Sequence, residues 1–163
     1  MKRILLTLAL LSASWVVHAQ QYDLDYSEMN DRNMASHISD ARSSSGSSSL
    51  IYQHGSNNRA YSTQSPGRNS SAIWQIGSEN TAFVRQSGYG NDADIYQSGS
   101  DNFAYISQSG SGGDASITQR NFGNSAYILQ HGKGITEINQ NGANQSSGVV
   151  QRSSGMAIRV TQH

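Results

Sequence analysis

The chain contains no cysteine and only one proline, Pro66, in 163 residues. Without cysteine there can be no disulfide framework, no thiolate nucleophile and no thiolate metal site. With almost no proline, little in the chain interrupts the pairing of strands. Apolar residues are scarce as well, at 35%. That is too few for an ordinary oil-filled core. Neither sign of charge dominates, since 11 Lys and Arg stand against 11 Asp and Glu, and no basic stripe offers a track for nucleic acid. What remains is Gly, Ser, Asn and Gln, a composition that by itself describes a disordered chain.

Only the first nineteen residues form a long apolar run. "MKRILLTLALLSASWVVHA" opens on Lys2 and Arg3, continues from Ile4 as an apolar stretch and ends on small residues. The stretch is shorter than a membrane span. Val17-His18-Ala19 fits a signal-peptidase site, so cleavage between Ala19 and Gln20 is expected. Losing the two bases leaves a mature chain near −2.

The rest of the sequence is written on a lattice. Gln53, Gln64, Gln75, Gln86, Gln97, Gln108, Gln119, Gln130, Gln140, Gln151 and Gln162 are separated by ten intervals, nine of eleven residues and one of ten. Two residues before each Gln stands Ile or Val, with Ser62 the exception, and four before it the residue is usually small, as at Ala82, Ala93 and Ala104. Two after it comes Gly at most repeats. Five after it comes Asn58, Asn69, Asn80, Asn91, Asn102 or Asn124. The unit reads Q-x-G-x-x-N-x-A-x-I/V-x-Q.

The period of two at Ala, Ile and Gln puts these side chains on one face of a strand. The Gly-x-x-Asn piece is turn chemistry, because Gly and Asn both tolerate positive φ. One unit is therefore a strand and a turn, which cannot bury its own face and must stack on copies of itself. Two units make a rung of 22 residues. The predicted fold is all-β, a β-solenoid of about five strand-turn-strand rungs, roughly 25 Å tall at the ~4.8 Å strand spacing. The rungs are expected over 49–70, 71–92, 93–114, 115–135 and 136–163. Inward glutamines then lie above glutamines and asparagines above asparagines, so their amides bond along the stack as in a cross-β ladder. An inward amide without that partner costs about 1–3 kcal/mol.

Residues 20–48 stand off the lattice. They carry five acids against two bases and end in a Ser-Gly run, so a flexible leader is expected there. The lattice itself runs to Gln162, and no cap is expected after it. Such an uncapped stack is a template, because an open strand edge recruits other chains.

On these repeats the chain resembles the curlins, the subunits of bacterial curli amyloid fibres. The similarity extends over 49–163, and two further stretches, "YDLDYSEMN" (Tyr22 to Asn30) and "VVQRSSGMAIRVTQH" (Val149 to His163), are similar to the minor, nucleating branch of that family. The resemblance implies export through the outer-membrane curli secretion channel with accessory assembly factors. It also implies self-association, seeding of a major curlin subunit, and attachment to the outer cell surface for adhesion and biofilm. It assigns 20–48 to secretion targeting and 141–163 to surface attachment. The leader is longer and richer in serine than that family's.

Around Gln151 the Gly and Asn positions become Ser153 and Met156, and the last strand brings Ile158, Arg159 and Val160. With Arg152 this makes a basic final rung, expected to dock on an anionic outer surface or on an accessory factor. The outward positions predict two aromatic columns, Tyr52, Trp74 and Tyr96 on one sheet and Tyr61, Phe83, Tyr105 and Tyr127 on the other. The interval of ten at "HGKGITEINQ" predicts an irregular turn. No catalytic constellation is present: the histidines lack metal-ligand spacing, no G-x-S-x-G elbow occurs, and "GSGGDAS" (Gly110 to Ser116) is a single copy of a calcium-repeat-like string. No enzyme activity, cofactor or nucleic-acid partner is expected. The alternatives are a major fibre subunit and, from another class, an extracellular β-helical polysaccharide-binding protein. The second needs acids or metal ligands clustered on one outer face. An ice-binding solenoid would show Thr-x-Thr arrays, whereas Thr63, Thr118 and Thr161 are scattered.

Overall fold

The structure is a computed structural model and describes residues 46–163. The expected signal segment, and all but the last three residues of the expected leader, lie outside the described residues. Eleven strands follow one another: β1 Ser48–Ser56, β2 Arg59–Gln64, β3 Ser70–Ser78, β4 Thr81–Tyr89, β5 Asp92–Ser100, β6 Phe103–Ser111, β7 Gly113–Phe122, β8 Ser125–His131, β9 Gly134–Gln140, β10 Ser146–Gln151 and β11 Met156–Gln162. The odd-numbered strands form a six-stranded sheet in the order β1-β3-β5-β7-β9-β11, and the even-numbered ones a five-stranded sheet in the order β10-β8-β6-β4-β2. Every pairing is parallel. The chain is a parallel β-solenoid of about five turns, with no helix among the described residues.

Parallel strands need a crossover, and here each crossover is a strand of the other sheet. The 22-residue rung is what makes the register exact in kind: Ile73 pairs with Ile95, Gln75 with Gln97 and Gly77 with Gly99. A slip by one residue would turn every glutamine to solvent, so the register is strongly specified. Inside, Ile73, Ile95, Ile117 and Ile138 of one sheet meet Val84, Ile106, Ile128 and Val149 of the other, with Ala82, Ala93, Ala104, Ala115 and Ala126 between them, all buried. This apolar seam is narrow, which is how a chain so poor in apolar residues has a core at all.

The turns are Gly-based, as expected, but the ladder asparagines are not the residues that take positive φ. That conformation falls one position earlier, on Asn57 (φ 57), Arg68 (φ 55), Glu79 (φ 60) and Asp101 (φ 55). The asparagine is selected for its side chain instead, as the hydrogen bonds below show. Gly88 has φ 99, and a Cβ there would overlap the carbonyl of Gly110 in the next rung. The glycine therefore serves close rung-to-rung approach as well as backbone conformation. At the short interval, β8 and β9 are joined by only Gly132 and Lys133, and Gly134 occupies the asparagine position. The missing residue is absorbed in this tight turn, so Gln119 still pairs with Gln140.

Candidate functional site

The inward glutamines form two continuous hydrogen-bonded columns. In the odd sheet the Nε2 of Gln53 donates to Oε1 of Gln75 (2.6 Å), Gln75 to Gln97 (2.8 Å), Gln97 to Gln119 (2.9 Å), Gln119 to Gln140 (2.9 Å) and Gln140 to Gln162 (2.8 Å). In the even sheet Gln64 donates to Gln86 (2.7 Å), Gln86 to Gln108 (2.9 Å) and Gln108 to Gln130 (2.9 Å). The amides of Gln75, Gln97 and Gln119 also donate across the interior to a backbone carbonyl of the facing sheet, at Arg59, Thr81 and Phe103 respectively. The amide thus joins rungs along the axis and sheets across it. Gln75, Gln97, Gln119 and Gln140 are fully buried, and this double donation is what makes burying them affordable in free energy.

The last step of the even-sheet column departs from the others. Gln130 and Gln151 are 3.4 Å apart, and Thr136 donates its hydroxyl to Gln151 Oε1 at 2.7 Å. Thr136 stands where most repeats carry alanine. At the other end of the stack Ser71 plays the same part, bonded to Ser49 (3.0 Å) and Ser62 (2.8 Å) and accepting from Gln64 (3.2 Å). The sequence reading passed over Ser71 and Thr136. Their signal was a hydroxyl at the small-residue position, four before a ladder glutamine.

The asparagines run the other way. Asn80 Nδ2 donates back to Asn58 Oδ1 (3.1 Å) and Asn102 Nδ2 to Asn80 Oδ1 (3.0 Å), while the backbone N–H of Asn80, Asn102 and Asn124 also donate to the preceding rung's Oδ1. Gln145 continues this column through its backbone N–H to Asn124 (3.0 Å). The second column holds Asn69 and Asn91, bonded at 3.1 Å, and then passes to Gly113, whose N–H donates to Asn91 Oδ1 at 3.0 Å. Asn69, Asn80, Asn91, Asn102 and Asn124 are buried; Asn58, in the first rung, is half-buried.

The glutamine column therefore has a direction, with N–H pointing toward higher residue numbers. A carboxylate accepts but cannot donate, so the two ends of the odd-sheet column should respond differently to glutamate. Gln162→Glu keeps the acceptor for Gln140 and gives up only the 3.3 Å bond to Ser146; the expected change in stability is within about 0.5 kcal/mol. Gln53→Glu sets an acceptor against Gln75 Oε1 and should cost about 1 kcal/mol. Denaturant midpoints compare the two, and equal losses would refute the polarity.

At the high-numbered end, β11 pairs with β9 from Met156↔Gly134 to Gln162↔Gln140, and no strand lies on its outer side among the described residues. The residues expected to dock on a surface do not share a face. Ile158 and Val160 are half-buried and pack on the core. Met156 is 43% exposed. Arg152 is exposed beside Leu129, His131 and Val150 of the even sheet, whereas Arg159 lies on the odd sheet and meets Glu137 at 2.8 Å. The acid that the sequence reading did not set against Arg159 lies one rung away.

Outside, Tyr52 and Trp74 meet edge to face at 5.3 Å, and Tyr61 and Phe83 stack at 4.8 Å with planes 8° apart. From Phe83 the ring contacts pass to Phe103 (5.9 Å) and from there to Tyr127 (5.4 Å). Phe103 is an addition to the expected column; its place two residues before Tyr105 puts it on the same face. His131 Nδ1 lies 2.7 Å from Ser109 Oγ. No group of three His, Cys, Asp or Glu among the described residues could hold a metal ion.

Residues 50–88 and 90–120 match the family model described as the curlin associated repeat. No curated protein and no solved structure matches the chain.

Proposed function

Because residues 50–88 and 90–120 match the curlin associated repeat, we propose that the chain is a curlin, a component of extracellular curli fibres, and that it is the minor subunit, which nucleates polymerisation of the major curlin. The observation that carries this is the terminal strand. Gln140 donates to Gln162 with the geometry found at the centre of the stack, so the edge of β11 presents the same lattice that an incoming repeat would complete. An arriving strand with the same unit gains backbone pairing with β11, an amide partner at Gln162, and cover for the half-buried Ile158 and Val160. The cost of ordering the first rung is already met, and this removes the slow step of assembly. The same geometry serves a major fibre subunit, the second reading. The atypical final rung, with Arg152, Met156 and Arg159, favours the first. A trace of assembled protein added to fresh major curlin should abolish the lag in dye fluorescence; an unchanged lag would reject seeding.

The same proposal includes a signal peptide over 1–19, a secretion-targeting leader over 20–48, passage through the curli secretion channel with accessory factors, and attachment through 141–163. Deleting 141–163 is expected to move the protein from the cell fraction to the medium, read by immunoblot. Retention on cells would place attachment elsewhere.

A further inference from the structure

Sorting the outward side chains by sheet places the strand-borne acids on one face and leaves only bases on the other. On the odd sheet, Asp92, Asp94 and Asp114 face outward with Arg120, and Glu137 is paired with Arg159. On the even sheet the outward positions carry Arg59 and Arg85, with Arg152 at the end of β10 and, among the described residues, no acid. Both faces are also aromatic: Tyr52 and Trp74 lie on the acidic one, Tyr61 and Phe83 on the basic one.

We propose that two copies of this chain associate laterally through unlike faces, the basic even-sheet face of one lying on the acidic odd-sheet face of the next. The occupant is a second copy because the complementary surface is already present on the same molecule. Facing sheets pack about 10 Å apart, close enough for outward side chains to interdigitate. Like-face contact sets Arg59 and Arg85 against arginines, or Asp94 and Asp114 against carboxylates, and is repelled. An unlike-face contact is heterologous and does not close, so it extends as a ribbon of side-by-side stacks. One face measures ~25 Å by ~20 Å, about 500 Å² per partner, at the low end for a specific interface. Lateral pairing therefore gains strength as stacks lengthen, and in this respect it rests on the assembly reading above.

The test uses the full mature chain, with dye fluorescence reporting axial growth and light scattering with electron microscopy reporting side-by-side association. Arg59→Glu/Arg85→Glu makes both faces acidic, and Asp94→Lys/Asp114→Lys makes both basic. Each variant alone should keep its fluorescence and lose lateral association about tenfold, a difference of 1.4 kcal/mol. Mixing the two variants in equal amounts should restore it. Undiminished association in either variant, or no recovery on mixing, overturns the proposal. So does an Arg59- and Arg85-dependent binding to phosphatidylglycerol vesicles with association unchanged, which would assign the basic face to a membrane. If a variant loses fluorescence as well, axial assembly has failed, and the wild type decides. Its bundles must separate as salt rises from 0.01 to 1 M and the screening length falls from about 30 to about 3 Å. Bundles indifferent to salt overturn the proposal.

Discussion

Gly88→Ala is expected to prevent the stack from forming at its centre, whereas Gly90→Ala, two residues away, is expected to be tolerated. Both glycines have positive φ, 99 and 65, so each substitution carries the cost of placing an L side chain in that region, about 1–2 kcal/mol. They differ in the space around them. A Cβ on Gly90 meets nothing within 4 Å, while one on Gly88 overlaps the carbonyl of Gly110. That oxygen belongs to the backbone of the next rung and also accepts from Asn91 Nδ2 at 3.1 Å. Moving it breaks the asparagine contact and the backbone ladder of β4 and β6 together. The loss should exceed about 4 kcal/mol, the range reserved for a small set of severe lesions. Denaturant midpoints and the β-sheet circular dichroism signal measure it. Equal effects at the two positions would show that φ alone selects the glycines.

The second large effect belongs to the middle of the glutamine column. Gln97→Leu preserves approximate volume and leaves Gln75 Nε2 without its acceptor, and Gln119 Oε1 and the Thr81 carbonyl without their donor. The two glutamines are buried. At about 1–3 kcal/mol for each unsatisfied buried group, the expected loss is roughly 3–6 kcal/mol. Gln162→Leu, at the half-exposed end, removes one acceptor and should cost about 1 kcal/mol. The ratio between the two positions, read from the same denaturation curves, tests whether the ladder or merely the volume of the side chain stabilises the rung. A loss under 1 kcal/mol at Gln97 would mean that water or a rearranged neighbour satisfies the amides.

The repeat carried most of the architecture in plain view. Recurrence at eleven residues, with Ala, Ile and Gln two apart, is enough to name the inward face, to sort Gln53 and Gln64 into different columns and to place each glutamine on the next. It is enough because identical environments stacked along an axis admit one register. The turn was read less well. Gly and Asn share a tolerance for positive φ, so composition could not separate the residue chosen for its backbone, Glu79 or Asp101, from the one chosen for its amide, Asn80 or Asn102. Ser62 was visible as an exception to the apolar rule, but not its bond to Ser71, which stands on the facing sheet nine residues away. Arg159 and Glu137 are likewise neighbours only across a rung.

By itself, then, the order of residues determined the period, the inward columns and the parallel stacking, since each follows from local alternation repeated at constant spacing. Three features were decided only in the folded chain: the opposite directions of the Gln and Asn amides, the hydroxyls that close each end of the interior, and the gathering of the outward acids on one face, which leaves the other with bases alone. The physical reason is the same for all three. They depend on which groups from different rungs and different sheets come within hydrogen-bonding or Coulombic reach, and that distance exists only after the chain has wound upon itself.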